Sequence, residues 1–415
     1  MTPLRLPKLR MTAAWASLLL LTTGFFMSQA FRTVAAIMAP PLQAEMHLSP
    51  GQLGLFAAAY HFAFGGLQLF MGLGIDLYGV RRTILLASPL MVLGAVVSAL
   101  AHTFPLLVLG QVLIGIGCAP AFLVCAVYIA RHFPARQYAT ISSIILALGS
   151  LGMLLTGTPL AWLIDTASWH AGFWLLAALA ALAWTVMALG VREPTRPDTA
   201  QRETLAHALR TFGHLFKLPH TWGIIALALV TYGAFIALRG LWMGPLMADR
   251  YGWDLVATGN LIIVVTLISL VSLPLFGRAD PGPRPRRGVL FWCTMAAGAL
   301  FAVMAFDVGL YVDIAVMVLF AALSGYGTLQ YPDVKDAYEP AVLGRAFALF
   351  TMALFMGVAL LQWITGLIAS SAQAHQIDPY GPVFGAIALA LFMGALAFRW
   401  LPQPASVATA SSANP

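Results

Sequence analysis

The chain is 415 residues long, 60% hydrophobic and only 9% charged, with a mean hydropathy of +0.87 and a formal net charge of +7. A soluble globular domain carries about 25% charged residues, so this composition excludes one. The basic residues are split among short segments and form no single patch, which excludes a nucleic-acid-binding surface.

Twelve apolar stretches follow one another, centred near residues 27, 62, 93, 118, 151, 181, 235, 266, 297, 320, 357 and 391. Each approaches the roughly 20 residues that a spanning helix needs. Continuous runs, instead of short alternating strands, exclude a β-barrel. The chain therefore reads as an all-α integral membrane protein with twelve transmembrane helices. The first stretch follows Arg5, Lys8 and Arg10, as a signal peptide would. It runs too long for one, and reads as an uncleaved first helix.

With the N-terminus inside, all of the 22 Lys and Arg fall on the inner side except Arg32, Arg239 and Arg250. That bias predicts both termini in the cytoplasm. The longest polar interval, 192–218, contains Glu193, Pro194, Pro197, Asp198 and Glu203. It divides an N-terminal six-helix bundle at 1–191 from a C-terminal one at 219–401. The Ala-, Ser- and Pro-rich tail at 402–415 reads as disordered.

The halves echo each other. Ala30-Phe31-Arg32 aligns with Ala237-Leu238-Arg239, half a chain length away. Gly72, Asp76, Gly79, Arg81 and Arg82 align with Gly277, Asp280, Gly282, Arg286 and Arg287. Pro134-Ala135-Arg136 corresponds to Pro340-Ala341 with Arg345, and Gly149 and Gly157 correspond to Gly357 and Gly366. Parallel six-helix repeats with a site between them are a standard transporter plan.

The stretch Gly72-Leu73-Gly74-Ile75-Asp76-Leu77-Tyr78-Gly79-Val80-Arg81-Arg82 resembles a signature of the major facilitator superfamily. That signature, G-x-x-x-D-x-x-G-R/K-R/K, lies between the family's second and third helices. The resemblance implies two pseudo-symmetric bundles, alternating access and a plasma-membrane location of the bacterial inner-membrane type. It also implies a gating latch formed by Gly72, Asp76, Gly79, Arg81 and Arg82. Where many proton-coupled members carry an arginine in the fourth helix, this chain has Gln111, followed by Gly115. Gly149, Gly152 and Gly157-Thr158-Pro159 only loosely echo the fifth-helix run of drug antiporters. Both departures weaken a drug-efflux reading.

A charge at membrane depth is costly unless it faces a cavity or a partner. Arg32 and Arg239 lie inside apolar stretches, and none of the 15 acidic residues falls in mid-helix. Two cations without an acid point to an anionic substrate, held by the planar guanidinium fork. Members of the superfamily that carry phosphorylated or carboxylated solutes use arginines on helices 1 and 7, and this sequence matches that placement. Two orientations stay open: toward a cavity, or outward to the headgroups by snorkelling.

Gln29 shares a helical face with Arg32. His61 and Gln68 bracket Phe64 in the second helix, beside Tyr60. Tyr232, Arg239 and Trp242 fall on one face of the seventh. Gln111, Gln330, Tyr331, Gln362 and Trp363 complete the set of possible substrate contacts. Interhelical bonding or interface anchoring is the competing role for each. His61 is the candidate for proton coupling, against a packed neutral ring.

Cys118, Cys125 and Cys293 all lie in apolar stretches, with no metal spacing. No Walker sequence or catalytic set occurs, so no enzyme, cofactor or metal is expected. The expected activity is secondary transport of a small organic anion, a carboxylate or phosphate ester, by proton symport or anion exchange. The alternatives are drug or metabolite efflux by proton antiport and a transport-dead receptor. Expected partners are the substrate, the lipid bilayer and a coupling proton or counter-anion, with the protein a monomer.

Overall fold

A computed structural model describes residues 8–134, 137–192, 212–339 and 342–402, and among them no strand occurs. The helices form successive rods. In the first half, α1 is Lys8–Arg32 continued by Ala35–Met46, and α2 is Pro50–Gly66 continued by Gln68–Tyr78. Then come α3 (Val80–Ala99) and α4 (Phe104–Cys118 with Ala121–His132). α5 is Tyr138–Ser150 with Gly152–Leu155 and Thr158–Thr166, and α6 is Trp169–Gly190. In the second half, α7 is Pro219–Ala237 continued through Leu238–Trp242, Met243–Pro245 and Leu246–Arg250. α8 is Leu255–Arg278 and α9 is Pro283–Met304. α10 is Leu310–Leu323 with Ser324–Leu329 and Gln330–Ala337, α11 is Leu343–Ala374 and α12 is Tyr380–Trp400. Odd-numbered rods run away from the end that carries the termini, here the terminal end, and even-numbered rods return from the far end.

Among the described residues, eleven helical stretches are long and apolar enough to cross a membrane. The difference from the expected twelve is α2, which breaks at Leu67 into pieces of 17 and 11 residues. Large apolar side chains such as Leu86, Trp162, Leu189 and Trp292 are exposed on the outside. Such a surface suits hydrocarbon, and helices satisfy their own backbone there. Residues 193–211 of the expected central loop and 403–415 of the expected tail lie outside the described residues. So do Ala135, Arg136, Pro340 and Ala341 of one expected internal echo.

Local chemistry starts the helices. Ser49 accepts from Gln52 N, and the Gln52 side chain accepts from Ser49 N, a capping box with Pro50 in the first turn of α2. Gly79 precedes α3 with φ 86° and ψ 169°, and Gly282 precedes α9 with φ 89° and ψ 173°. That region is essentially closed to residues with a Cβ. The two loops thus share one backbone turn, as their aligned sequences predict.

The small residues bring rods together, within and across the halves. A Cβ on Gly152 or Gly357 would strike backbone of α1 or α7 respectively. Across the halves, a Cβ on Gly54 of α2 would lie 2.5 Å from Gln362 O and 2.8 Å from Gly366 Cα on α11. One on Gly259 of α8 would lie 2.8 Å from Thr158 N on α5, and one on Gly244 of α7 would strike Ala36 O on α1. The three cross-half positions Gly54, Gly259 and Gly244 lie toward the far end, which is closed by backbone-to-backbone packing of a kind only small residues permit.

Candidate functional site

Both intramembrane arginines sit where their helix loses α-helical regularity. Arg32 ends the first piece of α1, before a turn at Thr33 and Val34. Arg239 lies in the π-helical segment Leu238–Trp242 of α7. Such irregular turns free backbone groups and re-aim side chains, and they recur at functional sites.

Neither arginine snorkels. Arg32 is 8% exposed and Arg239 is fully buried. Each reaches into the opposite half. Arg32 Nη1 donates to the Tyr232 hydroxyl on α7 at 3.0 Å. Its guanidinium lies 4.7 Å from the Phe355 ring centroid and 5.3 Å from that of Phe64, within cation–π range. Its Nε is buried without a partner. Arg239 Nη2 donates to Met153 O on α5 at 2.6 Å, and Nη1 to Thr156 Oγ1 at 3.4 Å. Its Nε donates to Thr266 Oγ1 on α8 at 3.0 Å. Neither arginine forms an ion pair with a carboxylate among the described residues.

A cavity of about 180 Å³ lies between the halves. The first half contributes Gln29, Ser150 and Met153, and the second a longer wall that includes Thr231, Tyr232, Ser269, Ser324, Thr328, Gln330 and Tyr331. On α1, α5 and α7 the lining residues precede Arg32, Thr156 and Arg239 in sequence. The cavity therefore sits on the terminal-end side of the two arginines, with the closed far end beyond them.

The structure sorts the expected substrate contacts. Gln29, Tyr232 and Gln330 line this cavity, and Arg32 touches it through Tyr232. Gln29 Nε2 donates to Ser150 Oγ at 3.2 Å, and Gln330 Nε2 to Thr231 Oγ1 at 2.9 Å. The carbonyl oxygen of each amide is left buried and unpartnered. Gln362 is fully buried with neither amide atom paired. His61 is 1% exposed; its Nδ1 lies 3.1 Å from Ala57 O and its Nε2 has no partner. Arg239, His61, Gln68, Gln111, Trp242 and Gln362 do not line the cavity. Gln68 donates to Phe64 O and Ala119 O, both at 3.3 Å. Trp242 Nε1 donates to Thr365 Oγ1 on α11 at 2.8 Å, an interhelical bond within the second half. Gln111 is buried with its Nε2 unpaired. Trp363 is 39% exposed, against Phe62.

Sequence reasoning missed Ser150, Thr231, Ser269, Ser324 and Thr328. Ser269 donates back to Thr266 O, Ser324 to Ala321 O and Thr328 to Gly325 O. Hydroxyls that bond their own helix are common in membranes and leave no signal of their own.

At the terminal end, Arg81 of the signature loop donates to Val191 O and Ala188 O, both at 2.9 Å, and so caps α6. Arg82 is exposed and Gly72 half-buried, while the side chain of Asp76 lies outside the described residues. The second-half counterpart is an ion-pair cluster. Arg286 forks onto Asp280 at 2.8 and 2.7 Å and reaches Asp336 at 2.7 Å. Arg286 holds the Asp280 carboxyl below its usual range. Arg287 binds Asp333 at 2.9 Å and stacks 4.0 Å from the Phe398 ring centroid. The sequence comparison aligned these residues but gave the latch only to the first half.

A family model described as Major Facilitator Superfamily matches residues 21–332. The hexuronate transporter of Bacillus subtilis is 21% identical, over 75% of this chain and 78% of its own. The galacturonate transporter of Dickeya chrysanthemi is 25% identical, over 58% of this chain and 74% of its own. The crystal structure of a D-xylose-proton symporter superposes with a TM-score of 0.73 at 16% identity, covering 94% of this chain and 99% of the other.

Proposed function

This chain belongs to the Major Facilitator Superfamily, and from that premise we propose that it carries a small organic anion by alternating access. It is a multi-pass membrane transporter, and its relatives include carriers of hexuronates and galacturonate. Sugar acids of that kind are the substrates to test first. The observation that carries this reading is Arg32: a buried guanidinium with a free Nε, no carboxylate partner among the described residues, and a bond to a residue of the cavity wall. A carboxylate placed there gains charge-assisted hydrogen bonds. The amide oxygens of Gln29 and Gln330 and the hydroxyls of the second-half wall suit the hydroxyl groups of a sugar acid.

Proton symport and exchange of one anion for another both fit this site. The cavity argues against broad drug efflux, because pockets for drug-sized ligands run to roughly 300–1,000 Å³ and this one is about 180 Å³. We assign the termini to the cytoplasm of a bacterial-type inner membrane from the positive-inside bias, with α2 crossing as one broken span. The gating role of Gly72, Asp76, Gly79, Arg81 and Arg82 is part of the same proposal, as is function as a monomer.

The test is a thermal-shift titration of the purified protein with D-galacturonate, a non-ionic hexose and a cationic drug. Galacturonate alone is expected to raise Tm, because a ligand stabilises the state that binds it. Arg32→Ala is expected to remove that shift and at least about 90% of uptake, the loss of one charge-assisted bond or more. An Arg32→Ala protein that keeps its shift and its uptake overturns the assignment.

A further inference from the structure

Arg239 is the larger departure from expectation. The sequence predicts a second substrate cation here, yet each of its three nitrogens bonds an uncharged protein group. The cavity wall excludes it and includes Met153, whose carbonyl it holds. Met153 and Thr156 belong to the irregular part of α5, where the helix breaks between Ser150 and Thr158. Thr156 Oγ1 also meets Thr33 Oγ1 at 2.9 Å, next to Arg32 on α1. One guanidinium thus joins α7 and α8 of the second half to α5, and through it to α1, of the first.

Beyond this junction lies the closed far end. Thr158 Oγ1 donates to Asn260 Oδ1 at 2.5 Å, and Gly51 N donates to Ser370 Oγ at 2.7 Å, both across the halves. Parting the halves there would draw α5 away from α7 and α8, against the bonds that Arg239 makes to Met153 O and Thr156 Oγ1. We infer that Arg239 is the latch of the far end: it binds the Met153 carbonyl and Thr156 hydroxyl while that end is closed, and must release both for it to open. The inference stands on cross-half geometry and does not require the substrate to be an anion.

The experiment uses the full chain in lipid nanodiscs, where both ends meet solvent, with Cys118, Cys125 and Cys293 replaced by Ala. Thr258→Cys, at a position 1% exposed beside Gly259 at the far end of α8, reports opening through its rate of reaction with a charged maleimide. In this background Arg239→Gln and, separately, Thr156→Ala are expected to speed labelling at least about tenfold without substrate, the equivalent of one charge-assisted bond. Thr156→Ala leaves the arginine in place and guards against a folding defect, which gel filtration and Tm would show. Labelling unchanged in both folded variants overturns the latch. A loss of the galacturonate-induced Tm shift in Arg239→Gln with unchanged labelling assigns Arg239 to the substrate instead.

Discussion

His61 is sealed between Tyr60, with ring centroids 4.9 Å apart, and Phe355, 6.4 Å away, and keeps one ring nitrogen without a partner. A buried ring atom with no bond is costly, so a proton or a solute group that used it would have a ready place. We propose His61 as the coupling site if transport is proton-driven. His61→Gln is then expected to lose accumulation of D-galacturonate against its gradient while counterflow of labelled for unlabelled galacturonate continues. Uphill accumulation at the original rate would exclude this role. At this scale the sequence was informative about charge and uninformative about aim. Arg32 and Arg239 stood out because an apolar run makes any cation conspicuous. That the first is short of partners and the second fully engaged depends on a helix break and a π-helical turn, which neither segment's composition marks.

Helices were legible as lengths and much less so as shapes. The apolar runs located the rods among the described residues, and one of the aligned glycines, Gly366, packs on Gly54. The breaks at Leu67, at Thr33 and between Ser150 and Thr158 fall beside Gly65-Gly66, Arg32 and Gly157-Thr158-Pro159, signals that a reading by apolar length passes over. The terminal ends of α9 and α10 show what the charged loops do once folded. Arg287 and Asp333 are 7% and 8% exposed and lie 2.9 Å apart. Removing one partner of a buried pair leaves the other charge uncompensated, at a cost of about 3–5 kcal/mol. Asp333→Asn is therefore expected to lower Tm clearly. The apolar double variant Arg287→Met with Asp333→Leu should lose less, because both charges are gone. Equal losses in the single and double variants would mean that the uncompensated Arg287 charge contributes little.

Across the whole molecule, the two halves meet through reciprocal arginines, a glycine-lined far interface and a cavity on the terminal-end side. The duplication was visible in the sequence; the state of the carrier was not, since both access states share one set of residues. Alternating access requires the far interface to part in each cycle, and its geometry offers a direct way to forbid that. A Cβ on Gly51 would stand 3.0 Å from Ser370 Oγ, close enough for a Cys pair to approach disulfide spacing. In a background without Cys118, Cys125 and Cys293, oxidation of Gly51→Cys with Ser370→Cys is expected to arrest uptake in proteoliposomes, and reduction to restore it. The oxidised protein should still show its galacturonate-induced Tm shift, because the cavity lies on the other side of Arg32 and Arg239. Full uptake by quantitatively cross-linked protein would show that α2 and α11 need not separate there, and opening would have to come from the α5–α8 and α1–α7 contacts, which Arg239 on α7 borders.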